Sequence, residues 1–251
     1  MKNKARIFTL TLGLLLIFVN AAMAATNFNS ILKQWTKELY YTDDGGANLT
    51  IRCTYFSSEY VDAYILSEAQ KNMWTQSETD DFKYKFLKTL NLNEMIPINV
   101  EFVNNGPTMF VGPFDNFVSL RIKNKLYKPV DYDKRFNFKF QGKKDGLIYF
   151  PRFDEKTGKD LLAGVSYATL EFKPAISTTL DGKMPKFIWD VKNDNPQKLY
   201  EGGAGVRMET DRLIKRLDKL RKDKAEEESK INAINNEIST IQQRIDELAK
   251  L

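Results

Sequence analysis

The chain has 251 residues, a formal charge of +5, one cysteine and no histidine. The lack of histidine removes Ser-His-Asp and Cys-His catalysis in their usual forms and most zinc sites, and a single cysteine excludes an internal disulfide. An apolar content of 42% is that of an ordinary globular protein, and the length suffices for one sizeable core.

Met1 to Ala24 has the pattern of a secretory signal peptide: Lys2, Lys4 and Arg6, an apolar run from Ile7 to Val19, then Ala22-Met23-Ala24 as a small-residue cleavage site. The apolar run is too short to span a bilayer. Removing the segment takes away three basic residues and no acidic one, so the charge of the remainder falls to +2. The mature chain is expected to begin at Ala25, to carry no membrane span, and to be exported to the periplasm or the extracellular space.

Phe28 to Tyr41 is amphipathic and supports two readings. Ile31, Leu32, Trp35 and Leu39 suit a short helix, while Leu39 to Tyr41 suits the start of a strand. Asp43 to Gly46 is a turn leading into Leu49–Tyr55, whose Leu49, Ile51, Cys53 and Tyr55 alternate onto one face, so Cys53 is expected as a buried free thiol.

A helical insertion is predicted over about 58–92. Ser58 caps a first helix with Val61, Tyr64, Ile65, Ala69 and Met73 on one face. Thr75-Gln-Ser-Glu78 forms a capping box for a second, carrying Phe82, Phe86 and Leu90. The commoner use of such an aromatic stripe is packing against a sheet, and ligand binding is the alternative.

From Pro97 onward the apolar residues recur with period two. Strands are predicted around Ile98–Phe102, Val118–Ile122, Leu126–Tyr127, Arg135–Gln141, Gly146–Phe150, Gly164–Phe172 and Lys186–Val191, with Phe136, Phe138 and Phe140 on one face of the fourth. Turns are predicted at Asn104–Pro107, Gly142–Asp145 and Asp154–Gly158. Short strands at this spacing indicate an antiparallel immunoglobulin-like β-sandwich over 25–194, in a chain that is mainly β with α.

Asn195-Pro196 is a helix cap with a first-turn proline, and the helix it starts is predicted to continue to the C-terminus. Gly202, Gly203 and Gly205 mark a hinge within 195–205. Over 206–251 the apolar residues form a coiled-coil seam, with Leu217, Ile231, Ile238 and Ile245 at heptad position a and Leu213, Leu220, Ile234, Ile241 and Leu248 at d. Lys224 and Glu227 interrupt it.

The flanking charges discriminate between partner orientations. In a parallel dimer Arg216 meets Arg221 and Asp223 meets Glu228, and both pairs repel. In an antiparallel dimer whose core layers pair residue numbers summing to 451, Lys224 meets Glu227, Leu217 meets Ile234, Leu220 meets Ile231 and Leu213 meets Ile238. The rim pairs Arg216–Glu237, Asp223–Lys230, Glu209–Arg244 and Arg221–Glu228 all attract. The partner expected is a second copy, or a partner helix in the cell envelope.

Eleven basic residues face ten acidic ones over 206–251, which gives no stripe for nucleic acid. Asp154 to Asp160 resembles a calcium loop in spacing, but Lys156 occupies an oxygen-donor position and the closing glutamate is missing, so a turn is expected. Asp131, Asp133, Asp190 and Asp194 are candidate carboxylates for glycoside chemistry, though no convergent constellation identifies an enzyme, and no metal or cofactor is expected. Trp35, Trp74 and Trp189 are the residues for carbohydrate stacking, and each adjoins an apolar run expected in the core. The reading is an exported, non-enzymatic scaffold or adaptor that self-associates through its C-terminal helix, with a carbohydrate- or ligand-binding module as the alternative.

Overall fold

A computed structural model describes residues 28–249 of the chain. The expected signal peptide, Met1 to Ala24, lies outside the described residues. The chain divides into two units, one ending at Glu201 and one beginning at Gly202.

Among the described residues the first unit carries nine strands in two antiparallel sheets. Helix α1 covers 28–35 and passes directly into β1 (Thr36–Thr42), so both readings of Phe28 to Tyr41 hold, each for half of it. Asp43 makes the hairpin turn, its Oδ1 accepting from the backbone N–H groups of Gly45 and Ala47 at 3.0 Å, while Gly46 takes a φ of +83°. In β2 (Asn48–Tyr55) the alternation holds: Leu49, Ile51, Cys53 and Tyr55 are all buried. Burial pushes the Cys53 thiol well up, as expected for a packed, unreactive cysteine.

The helical insertion lies between β2 and β3. The cap of α2 (Ser58–Asn72) is Ser57, not the predicted Ser58: the Ser57 hydroxyl accepts from Tyr60 N at 3.0 Å, leaving Ser58 to bind Asp194. Val61, Ala63 and Ile65 are its buried residues, whereas Met73 is the left-handed cap, 89% exposed. The capping box of α3 (Gln76–Leu90) is present as predicted, with Thr75 and Glu78 bonded reciprocally, and Leu87 and Leu90 are buried.

The remaining strands are β3 (Met95–Met109), β4 (Val118–Ile122), β5 (Lys125–Tyr127), β6 (Asp131–Tyr132), β7 (Phe140–Pro151), β8 (Tyr167–Phe172) and β9 (Lys186–Asp190). One sheet has the order β1-β2-β3-β7-β6 and the other β5-β4-β8-β9. Their inner faces share one core, in which the Phe102 ring of β3 lies 5.8 Å from Phe172 of β8 and 5.9 Å from Phe136 and Phe140. Burying each such side chain contributes about 1.5–3 kcal/mol, so this cluster is the main source of stability in the unit.

Three local expectations are corrected. Arg135–Gln141 is not one strand. Asp133 accepts from Arg135 N at 2.9 Å and grips the Arg135 guanidinium, winding Lys134–Asn137 into a 3₁₀ turn. Phe136 is then buried and Phe138 is 67% exposed, so the three rings do not share a face. Gly142–Asp145 is not a turn but part of β7, held by pairing with β3 and by Lys143 Nζ to Glu101 Oε2 at 2.6 Å. Asn104–Pro107 lies inside β3 as a register irregularity between Asn104 and Met109. The buried Asn104 amide donates to Pro107 O and its Oδ1 accepts from Gly106 N, so turn chemistry here produces a bulge.

Asn195 does act as a cap, its Oδ1 accepting from Gln197 N at 3.2 Å, but for a 3₁₀ helix, Pro196–Tyr200. The expected continuation into the C-terminal helix fails because Glu201 is extended and Gly202 has a φ of +80°, a conformation that suits glycine. The second unit is α4 (Gly203–Leu248), one uninterrupted helix of 46 residues, which at 1.5 Å per residue is about 69 Å long. Among the described residues no helix is long and apolar enough to cross a membrane.

Candidate functional site

The seam residues fall on α4 as the heptad spacing requires. Leu213, Leu217, Leu220, Ile231, Ile234, Ile238, Ile241, Ile245 and Leu248 are each between 47% and 59% exposed. In a single helix the charged neighbours are held along the helix: Arg212 to Glu209 at 2.7 Å, Lys224 to Glu228 at 3.4 Å, Lys230 to Glu227 at 2.6 Å and Arg244 to Glu247 at 2.8 Å. Exposed pairs at this spacing are worth about 0.3–0.5 kcal/mol each. They support the helix across its polar middle, where apolar residues are missing from the seam. A helix with an apolar stripe open to water, broken only at Lys224 and Glu227, has no means within itself of burying that stripe.

The first unit holds a cavity of about 550 Å³ lined by Gln34, Trp35, Ser58, Glu59, Asp62, Asp190, Asn193, Asp194, Lys198 and Leu199. Three distant chain segments form it: the end of α1, the start of α2, and the stretch after β9. Asp194 ties the last of these to β2 and to the start of α2. Its Oδ2 accepts from the Tyr55 hydroxyl at 2.9 Å, and its Oδ1 from the Ser58 backbone N–H at 2.8 Å and the Ser58 hydroxyl at 2.9 Å. Burial first, and then the Asp194 charge, push the Tyr55 phenol well above its ordinary value, so it stays a donor. Trp35 donates its indole N–H to Glu59 at 2.9 Å.

Of the four candidate carboxylates, Asp190 and Asp194 line this cavity. Asp131 and Asp133 do not join them: Asp131 binds Lys134 at 3.0 Å and Asp133 binds Arg135 at 2.6 Å, and these partners hold both carboxyls below the usual range. Among the described residues no group of three or more Cys, Asp or Glu is placed to hold a metal ion. Asp154 closes a turn as expected, its Oδ1 accepting from Lys156 N, Thr157 N and the Thr157 hydroxyl.

Trp35 and Trp189 are core residues, 5% and 2% exposed, and the Trp189 indole donates to Trp35 O at 2.9 Å. Trp74 differs. It is half-buried at the end of a run of six aromatic residues, Phe56, Tyr60, Tyr64, Phe86, Phe82 and Trp74, all half-buried. Tyr60 and Tyr64 stack at 6.1 Å, Tyr64 meets Phe86 at 5.2 Å, Phe86 stacks on Phe82 at 5.6 Å, and Trp74 meets Phe82 at 4.8 Å. The sequence shows this stripe, but its partial exposure follows from α2 and α3 packing mainly through Val61, Ile65, Leu87 and Leu90 instead.

Comparison with protein-family models, with curated proteins and with solved structures finds no match to this chain.

Proposed function

We propose that this is an exported, non-enzymatic scaffold or adaptor of the cell envelope that self-associates by a coiled coil of its C-terminal helix. The observation that carries the reading is the apolar stripe of α4, nine Leu and Ile residues at heptad a and d positions, all open to solvent on one unbroken helix. Burial of that stripe against another helix supplies the free energy of association, and the rim charges select the partner. The first unit is read as an immunoglobulin-like sandwich. In support, β2, β3, β7 and β6 stand in the order A-B-E-D, while β4, β8 and β9 stand in the order C-F-G. Strand β1 adds an edge to the first sheet and β5 to the second.

Light scattering on the chain from Ala25 onward tests the reading, alongside a variant with Leu217→Asp and Ile234→Asp. An oligomer at micromolar concentration that the double variant reduces to a monomer supports it. A monomer in both cases rejects it.

The half-exposed aromatic run of α2 and α3 favours a second reading, a carbohydrate- or ligand-binding module. Loss of polysaccharide retention in Trp74→Ala, with the fold intact, selects it over the scaffold reading.

A further inference from the structure

We infer that the partner of α4 is a second copy of this chain running antiparallel, with the two-fold axis between Ala225 and Glu226; this rests on the self-association reading above. The charge pattern of the helix fixes the axis there. The charges place it by pairing Lys224 with Glu227 of the other copy and by making the four rim pairs attractive, all in the register whose core layers sum to 451. In the same register Leu217 meets Ile234, Leu220 meets Ile231 and Leu213 meets Ile238, so apolar layers flank the charged ones on both sides. Sliding one copy by a heptad in either direction brings both Lys224 and Glu227 against apolar residues, Ile234 and Ile231 one way and Leu220 and Leu217 the other.

Isoleucine at both a and d is the pattern of parallel trimers and tetramers. In this chain any parallel, in-register assembly stacks every Lys224 in one core layer and every Glu227 in the next. Like charges in a dry layer cost far more than the preference between Ile geometries returns. The antiparallel pair converts both layers into Lys–Glu contacts. Lys224 leaves Glu228, and Glu227 leaves Lys230; Lys230 then meets Asp223 of the other copy and Glu228 meets its Arg221. Antiparallel neighbours also set the N-terminal end of each helix beside the C-terminal end of the other, which their dipoles favour. In this dimer the two Gly202 residues, where the first units join, are about 69 Å apart, so the pair acts as a spacer between two attachment points.

Site-directed disulfides test the register in the full chain from Ala25 onward, since the one native cysteine, Cys53, is fully buried. Two single variants, Leu213→Cys and Ile238→Cys, are oxidised separately and then as a mixture, and sedimentation records the assembly of each. The antiparallel pair predicts a covalent dimer from the mixture and none from either variant alone, because residue 213 lies about 38 Å from its own counterpart. Self-linking of each variant alone means a parallel pair and overturns the inference. Dimers in sedimentation with no linkage in any sample overturn this register while leaving self-association standing. Monomers in sedimentation overturn both.

Discussion

Lys224 and Glu227 stand one turn apart on the apolar face of α4, and each is engaged along its own helix, Lys224 Nζ with Glu228 at 3.4 Å and Glu227 with Lys230 Nζ at 2.6 Å. These contacts are exposed and weak, so they hold the helix together without committing either residue. The two charges sit where a uniform apolar stripe would have Leu or Ile, and in the proposed dimer they select the register.

The Leu217→Ala variant removes one apolar side chain from each of two core layers in the proposed dimer. At about 1.5 kcal/mol per truncated side chain, the dissociation constant rises by about 100-fold. Sedimentation equilibrium measures it, and the far-UV spectrum of the first unit stays unchanged because Leu217 lies outside it.

Trp189→Ala cuts into the shared core of the two sheets, where the indole stacks near Phe187 and bonds Trp35 O. The expected loss is about 3–5 kcal/mol in urea unfolding. An effect below 1 kcal/mol would mean that Trp189 is not packed as described.

Asp194→Ala leaves the buried Tyr55 hydroxyl and the Ser58 backbone N–H without their acceptor. The first unit is expected to lose about 2–3 kcal/mol of stability, read by thermal or urea unfolding. Tyr55→Phe in the same background costs little more, because the two changes remove one interaction.

Burial pushes the phenols of Tyr60 and Tyr200 up to about 12. In the unfolded chain a tyrosine titrates near 10, so the folded state keeps protons that the unfolded state has lost. The stability contributed is therefore complete below pH 10 and lost as pH rises from about 10 to 12. Urea unfolding at pH 8, 10 and 11 measures the decline, and Tyr60→Phe makes it shallower.

Much of the fold is legible in the sequence, for reasons that differ by element. Leu49–Tyr55 alternates cleanly because one side of β2 faces the core. The capping box at Thr75 is readable because both of its bonds are local. Arg135–Gln141 alternates just as cleanly, yet the Asp133 cap and the Arg135 ion pair override the pattern, and Phe138 turns outward. At Asn195 the cap is visible but not the length of helix it serves, which Gly202 limits. The cavity around Asp194 is not legible at all, since Tyr55, Ser58 and Asp194 meet only once β2, α2 and the segment after β9 have packed. The long helix α4 is legible too, because a helical period needs no tertiary contact within its own chain.

The most direct test of the account is sedimentation of the chain from Ala25 onward in three forms: unaltered, with Lys224→Glu, and with Lys224→Glu plus Glu227→Lys. An antiparallel pair predicts a dimer, a weaker dimer or monomer when glutamates face each other across the axis, and recovery when the second exchange restores opposite charges. A monomer throughout, or an assembly indifferent to both exchanges, contradicts it.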